Sequence, residues 1–212
     1  MNKFFFFLFF IAFNISAQNS SLDVISNSTE NSHLFFTTAD VGFRKIENRG
    51  ELFTEIHVDG FSKSYDIGNP ELPVYSKLIE IPSTGDVSIS IINKSETYID
   101  LTDIGFINKL MPSQRSISKS EDLSDVEFEY NEKVYSKDNF YQNELISVER
   151  LGVMRKRTIA RIKISPFSYN PMSNTLKVID DLEFKLEYSK SIKPVNNAYY
   201  SRTHETSFSK LI

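Results

Sequence analysis

Thr158-Ile159-Ala160-Arg161-Ile162-Lys163-Ile164 alternates side chains along its length, with Thr158, Ala160, Ile162 and Ile164 on one face and Arg161 and Lys163 on the other. That period of two marks a β-strand with one buried face. Ser165-Pro166 ends it, because proline cannot donate to a ladder. Phe167-Ser168-Tyr169 then leads into Asn170-Pro171-Met172-Ser173-Asn174, a turn signal: proline presets φ, and Asn and Ser bond to nearby backbone. Beyond the turn, Thr175 to Ile179 and the alternating Leu182, Phe184, Leu186 and Tyr188 predict two further strands around Asp180-Asp181.

Working outward, the same period recurs. Leu52, Thr54, Ile56 and Val58 alternate with Phe53, Glu55 and His57 up to the Asp59-Gly60 turn. Prolines at 73 and 82 bound Val74 to Ile81, and Ser83-Thr84-Gly85-Asp86 leads to a strand with Val87, Ile89 and Ile91 on one face. This pair reads as a hairpin. About eight to ten short strands without a competing helical period predict an all-β fold. The expected form is a single antiparallel β-sandwich, jelly-roll-like, with a long loop insertion.

The insertion is Met111-Pro112-Ser113-Gln114-Arg115-Ser116-Ile117-Ser118-Lys119-Ser120-Glu121-Asp122-Leu123-Ser124-Asp125. It is polar, Ser-rich and too long for a tight turn, which in a compact domain points to function or disorder. Glu121, Asp122 and Asp125 carry oxygens that suit a hard cation. They lack the spacing of a known calcium loop, so a solvated acidic loop is expected and no metal or cofactor is assigned. Arg155-Lys156-Arg157 reads as a solvated turn.

At the N-terminus, Met1-Asn2-Lys3 precedes an apolar block from Phe4 to Phe13, then Asn14-Ile15-Ser16-Ala17-Gln18. The block is well short of the roughly 20 residues of a membrane-spanning helix. It reads as a signal peptide cut between Ala17 and Gln18, so the chain is expected to be exported, periplasmic or extracellular, and free of the membrane after cleavage. The expected organisation is signal peptide 1–17, flexible Ser/Asn-rich lead-in 18–31, β domain 32–190 and polar tail 191–212.

Composition excludes several function classes. The chain has no cysteine, so it holds no disulfide, thiolate metal site or thiol nucleophile. Its net charge is -4, with 24 basic and 28 acidic residues intermixed, and no basic stripe suits nucleic acid. No serine-hydrolase elbow, zinc-peptidase helix motif or phosphate loop occurs. His33, His57 and His204 are scattered, and His57 on a polar strand face reads as an ordinary surface residue. The chain is expected not to be an enzyme.

Gly68-Asn69-Pro70-Glu71-Leu72-Pro73-Val74-Tyr75, continuing to Leu78-Ile79-Glu80-Ile81-Pro82, resembles the N-terminal propeptide of gingipain-like cysteine peptidases of family C25. The likeness continues through Val148-Glu149-Arg150-Leu151-Gly152, Arg161 to Pro171, Leu176-Lys177-Val178 and Leu182-Glu183-Phe184, so that order and spacing agree over about Leu52 to Tyr188. The resemblance implies a β-sandwich-like prodomain of bacterial export. Its partner would be a gingipain-type, Arg- or Lys-specific cysteine peptidase catalytic domain, held latent and helped to fold, in cis or in trans. The catalytic Cys of that family has no counterpart here. A free-standing prodomain, a piece of a longer precursor and the remnant of a truncated peptidase gene all remain open.

The resemblance also implies that the long loop inhibits as a substrate mimic through a basic side chain. Lys119 in Ser118-Lys119-Ser120 is the better positional match, and Arg115 stays open because its planar fork suits a carboxylate better. Lys190, Lys193, Arg202 and Lys210 in the tail are processing sites or ordinary charges. The alternative class is an exported adhesion or carbohydrate-binding sandwich. A sequence with 18 Phe and 10 Tyr but no Trp weighs modestly against it.

Overall fold

The computed structural model describes residues 21–119, 121 and 126–189. Three antiparallel sheets carry them. The largest is built on one long strand, β12 (Thr175–Tyr188). Along one edge of β12 lie β2 (Asn31–Thr37), paired with its later half, and β11 (Phe167–Asn170), paired with its earlier half. β7 (Val87–Asp100) runs along the whole opposite edge. β1 (Ser21–Asn27) extends the sheet beyond β2, and β8 (Tyr141–Gln142) extends it beyond β11.

The second sheet has the order β5 (Ser62–Lys63), β6 (Pro73–Ile81), β10 (Arg157–Ile164), β9 (Ile146–Met154). The third is the hairpin of β3 (Gly42–Asn48) and β4 (Glu51–His57). A single helical turn, α1 (Glu132–Tyr135), lies between β7 and β8.

The expected sandwich is present. Leu34, Phe36, Leu182, Phe184 and Leu186 of the first sheet meet Ile146, Ile162 and Ile164 of the second in one apolar cluster. A second cluster joins Phe167, Tyr169, Leu176 and Val178 to Ile56, Val58, Leu101, Leu110 and Tyr135. Each large apolar side chain so buried contributes roughly 1.5–3 kcal/mol. The alternation in β10 holds from Ala160 to Ile164, with Ala160, Ile162 and Ile164 fully enclosed, while Ile159 on the opposite face is buried as well. Its hairpin with β9 turns through Arg155 and Lys156, both at positive φ, in the triplet read as a turn.

Four expectations need correction. Residues 21–27 of the supposed flexible lead-in are strand β1: Ser28 Oγ accepts from the Asn31 amide to close the turn, the backbone pairs with β2, and Leu22 is buried. Strands β6 and β7 do not form a hairpin, because β6 pairs with β10 and β7 with β12 in the other sheet. The Pro82–Asp86 connection is a crossover, clipped by the Arg150 guanidinium donating to the Pro82, Ser83 and Gly85 carbonyls. The segment through Asp180-Asp181 is one strand, with a bulge opposite Ser95 where both carboxylates accept from Thr97, Thr37 and Ser95 hydroxyls. Finally, β4 is covered on both faces: Phe53 and Glu55 are buried like Thr54 and Ile56, whereas Leu52 is exposed.

Candidate functional site

The loop that follows Lys109 is fixed at its root by backbone pairing. Leu110 lies in a parallel bridge beside Thr54 of β4. The Thr54 amide donates to the Lys109 carbonyl at 2.9 Å, and the Met111 amide donates to the Thr54 carbonyl at 2.9 Å. A parallel bridge leaves the N–H and C=O of Leu110 pointing the other way, into the core. Two buried tyrosines meet them. The Leu110 amide donates to Tyr169 Oη at 3.3 Å, and Tyr135 Oη donates to the Leu110 carbonyl at 2.8 Å. Burial raises the pKa of both phenols well above the ordinary range, so both stay protonated: Tyr135 donates to Leu110, and Tyr169, while accepting the Leu110 amide, donates to Asn174 Oδ1 at 2.7 Å.

The strip Gly68–Glu71 then holds both limbs of the loop. Gly68 and Glu71 amides donate to the Ser113 and Met111 carbonyls on the outgoing limb, and Ser113 donates to the Asn69 carbonyl. On the returning limb the Asn131 amide donates to the Gly68 carbonyl at 2.9 Å. Gly68 sits at φ +79° against Asn131, where a side chain would be strained. Above this strip the Gln114 side chain closes the neck. Its Nε2 donates to the Glu129 carbonyl at 2.8 Å, and its Oε1 accepts the Glu129 amide at 3.0 Å. Phe53 packs on Phe128 at 5.6 Å between centroids, and Val126 is buried.

Beyond the neck the chain is exposed from Ser116 to Lys119. Arg115 grips Glu121 with both terminal nitrogens, Nη2 to Oε1 at 3.0 Å and Nη1 to Oε2 at 3.2 Å. The same carboxylate accepts the Ser118 amide at 2.9 Å, and the Glu121 amide donates back to the Ser118 carbonyl at 3.1 Å. The Arg115 guanidinium, then the Ser118 amide, hold the Glu121 carboxyl below the usual range. Lys119 therefore stands just past Ser118 at the head of a closed turn, exposed and without an ion pair among the described residues.

Behind the neck lies a mixed charge network. Glu55, nearly buried, accepts from Arg44 and from Lys63 Nζ, and Lys63 also reaches Glu71 at 2.6 Å. The hydrogen bond from Arg44 keeps Glu55 below the usual carboxylate range. Burial pushes Glu71 above it despite Lys63.

The described candidate residues are not all gathered in one place. Arg115 and Lys119 share one loop tip, but the first is engaged by Glu121 and the second is presented. Glu121, read above as part of an acidic cluster, is committed to Arg115 and the Ser118 amide; Asp122 and Asp125 lie outside the described residues. So do Ala17, Gln18, Lys190, Lys193, Arg202, Lys210 and His204. His57 is exposed beside Asp59, at 3.0 Å. Sequence reading missed Gln114, Tyr135 and Tyr169 as loop holders; Asn-Pro and Gly signals at 68–70 were the nearest hint.

Comparison with known proteins gives a consistent result. The family model Propeptide_C25 matches residues 16–200. Lys-gingipain HG66 and Lys-gingipain W83, both of Porphyromonas gingivalis, are each 30% identical over 201 residues, 93% of this chain and 12% of the relative. The chain therefore spans about an eighth of the length of these curated relatives. A solved structure described as giving insight into the zymogenic latency of gingipain K from Porphyromonas gingivalis is 31% identical. It superimposes with a TM-score of 0.75 over 84% of this chain and 97% of its own. The complex of Porphyromonas gingivalis RgpB pro- and mature domains gives 0.73 at 15% identity, over 92% of this chain and 97% of its own, a likeness of fold.

Proposed function

The chain belongs to the Propeptide_C25 family, and on that premise we propose that it is an exported inhibitory domain for a gingipain-type cysteine peptidase. It holds the catalytic domain latent and assists its folding. Lys119 enters the specificity pocket as a substrate mimic.

The observation that carries this reading is the division of labour at the loop tip. Arg115 is neutralised by Glu121, whereas Lys119 stands exposed at the head of a turn on a pinned neck. A pocket that selects a basic side chain is acidic and partly desolvated, where a charge-assisted hydrogen bond is strong. A basic side chain already engaged must give up its partner to enter such a pocket; a free one does not. Of the two candidates, Lys119 therefore suits the role, and the peptidase it fits cleaves after lysine. Pinning of the neck lowers the ordering entropy lost on binding, which is how preorganised loops gain affinity.

The test is titration of the purified chain against gingipain K cleaving a fluorogenic Lys substrate, with papain and trypsin as controls. Selective, stoichiometric inhibition of gingipain K is expected. A folded chain that binds none of the three contradicts the reading.

A further inference from the structure

Glu121 and Arg115 do more than occupy the loop. One carboxylate takes two N–H bonds from the Arg115 guanidinium and a third from the Ser118 amide, while its own amide closes the turn onto the Ser118 carbonyl. All of these contacts lie within the seven residues from 115 to 121 that carry Lys119, and none reaches the sandwich. Exposed ion pairs contribute little to global stability. Their local effect is different: they cross-link the two sides of the turn whose head is Lys119. Gln114, the neighbour of Arg115, is in turn bonded to Glu129. The chain from neck to tip is thus continuous.

We propose that the Arg115–Glu121 pair is a positioning clamp: it withholds Arg115 from the peptidase and fixes the turn so that Lys119 alone is presented. This rests on the inhibitory reading of the loop. It assigns Arg115 and Glu121 a role in selecting lysine over arginine as the offered side chain. Without the clamp two basic residues on one flexible tip would compete for the same pocket, and Lys119 would lose its set geometry.

The test is a set of inhibition constants against gingipain K, with thermal midpoints measured alongside, for Glu121→Gln, Arg115→Ala, Lys119→Ala, the Glu121→Gln/Lys119→Ala double variant and the swap Arg115→Glu/Glu121→Arg. The expected result is a loss of inhibition of about three- to tenfold for Glu121→Gln at unchanged midpoint, no further loss when it is added to Lys119→Ala, and partial recovery in the swap. A merely structural role would give additive losses in both backgrounds and no recovery, which overturns the clamp. If Lys119→Ala weakens inhibition while Glu121→Gln does not, the clamp fails and the inhibitory loop stands. If Arg115→Ala costs more than Lys119→Ala, both the clamp and the choice of Lys119 fail.

Discussion

In the sandwich, Phe36, Phe184, Ile162 and Ile164 are wholly enclosed by apolar side chains from two sheets, whereas Ser116 to Lys119 are all exposed. The first region is ordered by area removed from water, a non-directional force proportional to surface. The second is ordered by directional bonds: two tyrosine hydroxyls on Leu110, the Gln114 amide on Glu129, and the Glu121 carboxylate at the tip. If the loop inhibits as proposed, stability and inhibition belong to different parts of the molecule and are separable by mutation.

The strongest way to break the sandwich is Phe184→Ala, which empties the space between β12 and the second sheet. It should cost about 3–5 kcal/mol, read as a lowered denaturant midpoint. The loop would lose function only through the unfolded fraction. Tyr135→Phe acts at the boundary of the two regions. It leaves the buried Leu110 carbonyl without its hydroxyl donor, for about 1–3 kcal/mol in the same measurement. It should also weaken inhibition, because the root of the loop is what moves.

The smallest effect is expected at Glu71, on the strip that holds the neck. Its carboxyl lies above the usual range because of burial, so the stability it contributes is present below the unfolded pKa and is lost as pH rises through the folded one. Glu71→Gln should therefore leave stability at pH 7 unchanged or slightly higher, with the difference from the parent vanishing below pH about 4. Lower stability of the variant at pH 7 would show instead that Lys63 outweighs burial there.

Much of the sandwich is legible from period two. The alternation of Thr158 to Ile164 and of Leu182 to Tyr188 identifies β10 and the later half of β12, because one face of each is buried by a single opposing sheet. Legibility fails where partners are remote. Adjacent β6 and β7 look like a hairpin until each strand's true neighbour is known, and nothing local announces that Arg150 clips their connection. The lead-in at 18–31, read as Ser/Asn-rich, hides a strand at 21–27 because Val24 and Ile25 stay exposed and, apart from the buried Leu22, its hold on β2 is made by backbone, which composition does not report.

The loop itself stands out by length and Ser content, and its two basic residues are visible. Choosing between them requires Glu121's carboxylate to be placed, a matter of turn geometry. The roles of Tyr135 and Tyr169 depend on the Leu110 backbone facing the core, which only the parallel bridge with Thr54 reveals.

The central claim, that Lys119 at the tip of a separately ordered loop carries inhibition, is tested most directly by Lys119→Ala assayed against gingipain K. A buried anchor is worth about 2 kcal/mol or more, so the inhibition constant should rise at least about tenfold while the thermal midpoint stays that of the parent chain. An unchanged inhibition constant in a folded Lys119→Ala chain would contradict the account.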